Sequence, residues 1–125
     1  MKYTMARYTV QPERVREIKQ AIAEFIAEVR THEPRTLYVI LQENGQHSFL
    51  HWMAFENEAA ERRHSQARYN DRFAKKLLQC GVGKATFTDF KFLATSRNQW
   101  VLAQNSARRA RSQVRTKKGK PSTPR

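Results

Sequence analysis

The chain has 125 residues, of which 39% are hydrophobic and 28% are charged. This length suits one domain better than two, and the composition permits a packed core, which argues against a collagen-like or wholly disordered chain. No apolar run approaches the roughly 18–20 residues needed to cross a bilayer, so we expect no membrane span. The single cysteine, Cys80, cannot form an internal disulfide and fits a reducing compartment. We therefore expect a cytoplasmic protein.

The net charge of +13 is unevenly distributed along the chain. Residues 96–125 contain nine Lys or Arg and no Asp or Glu, whereas residues 1–95 contain 15 basic and 11 acidic residues. The basic character therefore belongs mostly to an appendage. We predict a folded domain over residues 1–95 and a basic tail over residues 96–125 that is disordered or partly helical.

Three elements are predicted in the first third of the chain. Residues 2–10 alternate between two faces, as a strand does. Pro12 suits the first turn of a helix, and apolar residues then recur at steps of three and four from Glu13 to about His32. Pro34 ends this helix. Residues 36–42 are rich in β-branched and aromatic side chains, which indicates a second strand.

The next signal is a hairpin followed by a second helical region. Asn44 and Gly45 form a dipeptide that favours a type I′ turn, so residues 47–55 are predicted to return as a third strand. Asn57 can cap the second helix, and the pattern allows a break near Ser65. Glycines at positions 81 and 83 end the helical region, and residues 84–95 are predicted as the last strand.

The order strand, helix, strand, strand, helix, strand predicts an α+β domain with the ferredoxin-like β-α-β-β-α-β arrangement. Four antiparallel strands would carry both helices on one face. The other face has bulky residues and no cover within the chain, and such an apolar face usually marks a partner surface. A second copy packed sheet to sheet would close an α+β barrel, and two-fold dimers are the commonest closed oligomers. We therefore predict a homodimer.

Four short segments match a known family. They are YTVQP at residues 8–12, EP at 33–34, FLHWMAFENEAA at 49–60 followed by His64, and FTDF at 87–90. On these segments, residues 5–95 resemble the antibiotic biosynthesis monooxygenase (ABM) domain family of the dimeric α+β barrel superfamily. The resemblance implies a homodimer with a pocket between each sheet and its helices, or inside the barrel.

Characterised members of that family include oxygenases that act without a cofactor on quinols, anthrones and related polyphenols, and haem-degrading enzymes. The haem-degrading branch has an asparagine where this chain has Arg7 and a tryptophan where it has His64, which argues against haem breakdown. The chain also departs from the family pattern at Arg35 (usually Gly), Met53 (often Glu) and Tyr69 (often a second His). The resemblance therefore indicates the domain more strongly than any one activity.

An oxygenase without a cofactor needs a base, a donor or cation that holds the substrate anion, and a pocket poor in water. Histidine suits the base because its unperturbed pKa is about 6.5, and aromatic walls suit a flat polyphenol. We therefore predict His51 and His64 as base or hydrogen-bonding groups and Arg7 as the group that holds a phenolate. The predicted pocket lining is Trp52, Tyr69 and Phe73, and no cofactor is expected.

Each of these residues also has a structural interpretation. His64 could bridge helix and sheet, and His51 could be an ordinary cross-strand neighbour. Arg7 could instead pair with a carboxylate across the dimer, such as Asp89. The aromatic lining residues at helical spacing, and Trp52 with them, could be core.

Metal binding is disfavoured by the spacing of two histidines on the third strand. His47 and His51 share a face but lie about 13 Å apart at roughly 3.3 Å per residue. A single zinc ion with Zn–N bonds near 2.1 Å cannot bridge them. We therefore predict no metal site.

The basic tail supports a second hypothesis about function. Two tails in a dimer would add 2 × 9 = +18 charges, which attract polyanions by counterion release with little sequence choice. Anionic lipid headgroups would be attracted in the same way, and a solvated tail without a partner is the simplest interpretation. The alternative to an enzyme is therefore a dimeric barrel that binds a small ligand and contacts nucleic acid or another acidic polymer through residues 97–125.

Overall fold

The computed structural model describes residues 1–45 and 47–97 and confirms the predicted α+β architecture. Its elements are β1 (Lys2–Val10), a short 3-10 helix (Pro12–Arg14), α1 (Val15–His32), β2 (Leu37–Gln42), β3 (Ser48–Phe55), α2 (Glu58–Gln66), α3 (Arg68–Cys80) and β4 (Gly81–Phe90). The four strands form one sheet in the order β2-β3-β1-β4, and every neighbouring pair is antiparallel. This is the ferredoxin-like arrangement.

The main core lies between one face of the sheet and the helices. Tyr8 and Val10 of β1 and Phe49 of β3 are buried there, together with Phe25 of α1 and Phe73 of α3. Successive side chains of a strand point to opposite faces, so the even-numbered residues of β1 face the helices. The β1–β3 register, in which Ala6 pairs with His51, places the odd-numbered residues of β3 on the same side.

The opposite face of the sheet carries a different set of apolar side chains. In the centre of this face Met5 of β1 is paired with Trp52 of β3, and Val39 of β2 is paired with Trp52 on its other side. Three apolar residues on this face remain about half exposed: Leu41, Val82 and Phe90. None of the three helices packs on this side within the described part of the chain.

The second helical region begins at the predicted cap and breaks where the sequence allows a break. The Asn57 side chain accepts a hydrogen bond from the Ala60 backbone N–H at 2.9 Å, as an N-cap residue does. Ala67 adopts an extended backbone, with φ −71° and ψ 146°, and separates α2 from α3. The second helical region therefore consists of two helices rather than one.

The predicted boundaries of the last strand are wrong at both ends. The strand starts earlier, at Gly81, which pairs with Val10 of β1, and the register shifts by a bulge in this region. Gly83 has a positive φ of 75°, which a glycine adopts without strain, so the chain bulges there and continues as a strand. The strand ends at Phe90 because its partner Tyr3 lies at the start of β1 and offers residues 91–95 no further pairing.

The chain divides after Phe92, and the described residues that follow belong to a second unit. Most of the predicted basic tail, residues 98–125, lies outside the described residues. Among the helices that the structure does describe, none combines the length and apolar character needed to cross a membrane.

Candidate functional site

A cavity of about 250 Å³ lies between the helix-facing side of the sheet and helices α2 and α3. Both predicted histidines, His51 and His64, line it. Most of the remaining wall is apolar or aromatic, and Glu61 is its one charged side chain among the described residues. Small-molecule sites are commonly apolar hollows with a few polar groups that fix orientation. The volume suits a compact guest of one or a few fused rings.

His51 is held between two tyrosines. The Tyr8 hydroxyl lies 2.8 Å from His51 Nε2, and the Tyr38 hydroxyl lies 2.8 Å from Nδ1. The side chains meet because the three strands bring them to one face: Tyr8 comes from β1, His51 from β3 and Tyr38 from β2. Both ring nitrogens are therefore occupied by hydrogen bonds, and His51 is only 3% exposed.

This environment keeps all three groups neutral near pH 7. Burial, together with the nearby His64, lowers the pKa of His51 to about 3. Burial also raises the pKa of the Tyr8 and Tyr38 hydroxyls well above the usual value for tyrosine. The group can donate and accept hydrogen bonds, but it carries no charge.

His64 is held by a carboxylate instead. Its Nδ1 lies 2.7 Å from Oε2 of Glu33, which stands just after the end of α1. The Tyr69 hydroxyl of α3 donates to the same oxygen. His64 Nε2 has no hydrogen-bond partner among the described residues. A carboxylate on Nδ1 fixes the tautomer that leaves Nε2 as an acceptor, which is the arrangement a general base needs.

Opposing effects act on the Glu33 carboxyl. Burial by itself would raise its pKa, but hydrogen bonds from His64 and Tyr69 reverse this and hold the pKa below the usual range. The carboxylate is therefore charged at neutral pH. Burial, together with the hydrogen bond to Glu33, raises the pKa of the Tyr69 hydroxyl, which stays protonated as a donor.

The structure brings together three of the six predicted site residues. His51, His64 and Phe73 line the cavity. Tyr69 does not line the cavity; its hydroxyl donates to Glu33, and its ring centroid lies 6.4 Å from that of His64. These four residues belong to the helix-facing side of the sheet.

The other two predicted residues lie on the opposite face of the sheet. The exposed guanidinium of Arg7 is 3.2 Å from Glu43 of the same chain. Asp89, the partner considered for Arg7 across the dimer, accepts from Thr4 and lies 3.7 Å from Lys2 within its own chain. The ring of Trp52 packs 5.7 Å from that of Tyr3. Arg7 and Trp52 therefore do not meet His51 and His64 within one subunit.

Three residues of the site were not singled out for a chemical role from the sequence. They are Tyr8 and Tyr38, which hold His51, and Glu33, which holds His64. The two tyrosines stand in predicted strands, and a correct strand register would have placed both beside His51. Glu33 belongs to the EP segment of the family resemblance, which gave it no chemical role, and its contact with His64 spans 31 positions of sequence.

Within residues 1–45 and 47–97, no group of three or more His, Cys, Asp or Glu side chains is arranged to hold a metal ion. Several polar groups of the cavity wall have partners outside it: His64 contacts Glu33, Thr4 donates to Asp89, and Glu61 lies 3.6 Å from Lys2.

Neither a model of a known protein family nor a curated protein sequence matches the chain. Solved structures do match it. An antibiotic biosynthesis monooxygenase superposes with a TM-score of 0.69 at 17% identity, covering 75% of this chain and 100% of the other. A proposed antibiotic biosynthesis monooxygenase from Caulobacter crescentus CB15 gives 0.69 at 16% identity, covering 74% and 90%. A Pseudomonas aeruginosa protein gives 0.66 at 20% identity, covering 74% and 94%.

These matches span most of the folded part of the chain and nearly the whole of each neighbour. Identities of 16–20% establish a shared fold and leave the chemistry open. The structure thus confirms, at the level of the fold, the resemblance drawn from the sequence: the chain has the fold of the antibiotic biosynthesis monooxygenase proteins.

Proposed function

We propose that the protein is a monooxygenase of the ABM type that oxidises a small quinol- or anthrone-like aromatic in the cavity without a cofactor. The observation that carries the proposal is His64, which lines an apolar cavity with a carboxylate on Nδ1 and a free acceptor at Nε2. Names of the structural neighbours support the reaction class. In this proposal His64 is the base, and His51 is a hydrogen-bonding group.

The reaction begins with a proton transfer. His64 Nε2 removes a proton from the phenol or the activated C–H group of the substrate, and the Glu33 carboxylate stabilises the imidazolium that forms. The resulting anion is electron-rich and donates electrons to O₂. For an anthrone-like substrate, a CH₂ carbon becomes a carbonyl, one oxygen atom enters the product, and the other leaves as water with the two hydrogens. The substrate supplies all four electrons.

Oxygen consumption by the purified full-length chain with a panel of hydroquinones and anthrones tests the proposal. We expect uptake with at least one member, with one O₂ consumed per product and water as the reduced product. Hydrogen peroxide in place of water would indicate a simple oxidase. No uptake with any member of the panel would count against the enzyme and favour a barrel that only binds small ligands.

We also propose that two subunits pack through the sheet face opposite the helices. That face has Met5 and Trp52 at its centre, and Leu41, Val82 and Phe90 about half exposed. Exposed apolar patches of this kind mark interaction sites, and a two-fold axis lets one surface pair with itself. Packed in this way, the two sheets would together form one α+β barrel.

Met5→Glu is expected to convert the dimer into a monomer, because an unpaired carboxylate buried in the interface costs several kcal/mol. Sedimentation velocity at micromolar protein measures the effect, and Met5→Leu, which keeps an apolar side chain of similar size, should remain dimeric. A wild-type chain that sediments as a well-folded monomer would contradict the dimer, since something other than a second copy would then cover this face.

The charge distribution supports a further proposed contact, between residues 97–125 and polyanions. Deleting the chain from Ser96 onward should abolish retention on a DNA column. Sedimentation velocity should show that residues 1–95 still form the same oligomer as the full chain. Retention of the full chain should fall steeply between about 50 and 200 mM salt, because binding releases counterions. Equal retention of both forms at low salt would contradict a role for the tail.

A further inference from the structure

One hydrogen atom of the Tyr8–His51–Tyr38 group is left without an acceptor. Each tyrosine hydroxyl carries one hydrogen, and a neutral imidazole carries one on nitrogen, so the group has three. Its two hydrogen bonds, one at each ring nitrogen of His51 and both 2.8 Å long, use two of them. The third hydrogen therefore remains on a hydroxyl in either tautomer of His51.

The tautomer decides which tyrosine keeps the spare hydrogen. If Nδ1 carries the ring hydrogen, His51 donates to Tyr38, whose own hydroxyl hydrogen is then free, and Tyr8 donates to Nε2. The other tautomer exchanges the two tyrosines. The structure gives neither hydroxyl another partner among the described residues, and both tyrosines line the cavity. A guest in the cavity is the available acceptor.

We propose that the Tyr8–His51–Tyr38 group binds an oxygen atom of the substrate: the tyrosine that accepts a hydrogen bond from His51 donates its own hydroxyl hydrogen to that oxygen. The tyrosine touches the substrate, whereas His51 is a positioning residue that acts through it. This inference rests on the proposed function, which makes the guest an oxygenated aromatic and His64 its base.

The cavity needs such a donor because no cation supplies one. Neither Lys nor Arg occurs among the lining residues that the structure describes, and Arg7 lies on the other face of the sheet. A neutral donor still stabilises developing negative charge, because it is oriented in advance and need not reorganise as the charge develops. The low pKa of His51 agrees with this account. A neutral ring carries a single N–H group, and with that ring one tyrosine hydroxyl hydrogen has no acceptor within the Tyr8–His51–Tyr38 group.

The arrangement also narrows the substrate class. His64 Nε2 requires a hydrogen donor on the guest, and the tyrosine–histidine group requires an acceptor. The wall offers no cation to an anionic guest, because Glu61 is its one charged side chain among the described residues and Lys2, 3.6 Å from Glu61, does not line the cavity. The geometry therefore points to a neutral aromatic that carries both a hydroxyl and a carbonyl oxygen, such as a hydroxylated aromatic aldehyde, ketone or anthrone.

Binding of 4-hydroxybenzaldehyde in mildly acidic buffer, which keeps its acidic phenol neutral, tests this without turnover. Calorimetry gives the Kd, and the infrared carbonyl band of the bound aldehyde reports whether its oxygen accepts a hydrogen bond. In the Tyr8→Phe/Tyr38→Phe double variant we expect roughly three- to tenfold weaker binding, the range of one neutral hydrogen bond, and a carbonyl band shifted to higher wavenumber. Tyr3→Phe, which removes a tyrosine hydroxyl on the opposite face, should match the wild type.

Single variants provide a sharper signature. In Tyr38→Phe, His51 can donate through Nε2 to Tyr8, which then offers its own hydrogen to the guest, and Tyr8→Phe leaves Tyr38 able to act in the same way. Each single variant should therefore keep a low-wavenumber carbonyl band, and only the double variant should lose it. A merely structural role of the two hydroxyls would not produce this pattern.

The binding experiment has outcomes that would refute the oxygen-binding role of the tyrosines without refuting the proposed function. If the wild type does not bind the aldehyde, this inference is refuted, whereas the proposed function is decided separately by oxygen uptake with the panel of hydroquinones and anthrones. If the wild type binds but the double variant has the same Kd and the same carbonyl band, the oxygen-binding role is refuted while the proposed function stands. If the double variant does not fold because His51 is left unpaired, the apolar triple variant Tyr8→Phe/His51→Leu/Tyr38→Phe replaces it. We expect the same weaker binding and the same shift of the carbonyl band to higher wavenumber.

Discussion

Replacing His64 with glutamine is expected to lower the rate of oxygen uptake by about 10²- to 10⁴-fold, the usual contribution of a general base. Glutamine keeps an N–H group that can donate to Glu33, which His64 Nδ1 contacts at 2.7 Å, but it has no basic nitrogen. The variant should therefore fold and lose catalysis. The measurement is kcat in an oxygen electrode with the substrate that the panel identifies.

Two companion variants make this result interpretable. His47→Gln removes a histidine that does not line the cavity and should keep the wild-type rate. Glu33→Gln retains the shape of the side chain but no longer stabilises an imidazolium, so kcat should fall with little change in KM. Full activity of His64→Gln would remove His64 from the reaction, and equal losses in His64→Gln and His47→Gln would indicate a general loss of structure.

Replacing Phe25 with alanine is expected to lower the free energy of unfolding by about 3–5 kcal/mol, the range for deleting a buried phenylalanine. Phe25 is 3% exposed, and its ring centroid lies 5.0 Å from that of Phe73 and 5.3 Å from that of Tyr38. It also lies 5.8 Å from the ring of His64. The side chain thus packs α1 against both the sheet and α3, at the point where the cavity wall forms.

A loss of this size is a large fraction of the 5–15 kcal/mol that stabilises a typical domain. Urea unfolding at one fixed protein concentration measures it, since the apparent stability of an oligomer depends on concentration. Ile22→Ala provides the matched control on the same helix. Because Ile22 is only partly buried, its replacement should lower the free energy of unfolding by less. A loss below about 1 kcal/mol for Phe25→Ala would mean that the neighbouring rings collapse into the space.

Local patterns predicted most of the elements because the relevant interactions are short in sequence. The stripe of apolar residues that forms α1, the cap at Asn57 and the alternation of β1 all act within a few residues. The last strand was predicted less well. Its start depends on pairing with Val10 and its end on pairing with Tyr3, contacts that lie about 70 to 90 positions away in the chain.

The site, too, was predictable where it depends on residue type and not where it depends on long-range pairing. Histidines and aromatic residues could be selected from the sequence as chemically suitable, and His51, His64 and Phe73 do line one cavity. Alternation by itself does not say which face of a strand looks toward the helices, so Arg7 and Trp52 could not be assigned to a face. Their placement opposite His51 follows from the register of β1 with β3.

The sequence by itself therefore determined the order of the elements, the ferredoxin-like architecture and the residue types available for chemistry, because helix and strand periodicity depend on residues that are close in sequence. Only the tertiary structure decided the partners of the two histidines. Tyr8, His51 and Tyr38 come from three strands, and Glu33 meets His64 across 31 positions, so the hydrogen bonds that give each histidine its properties exist only once the sheet and helices have packed.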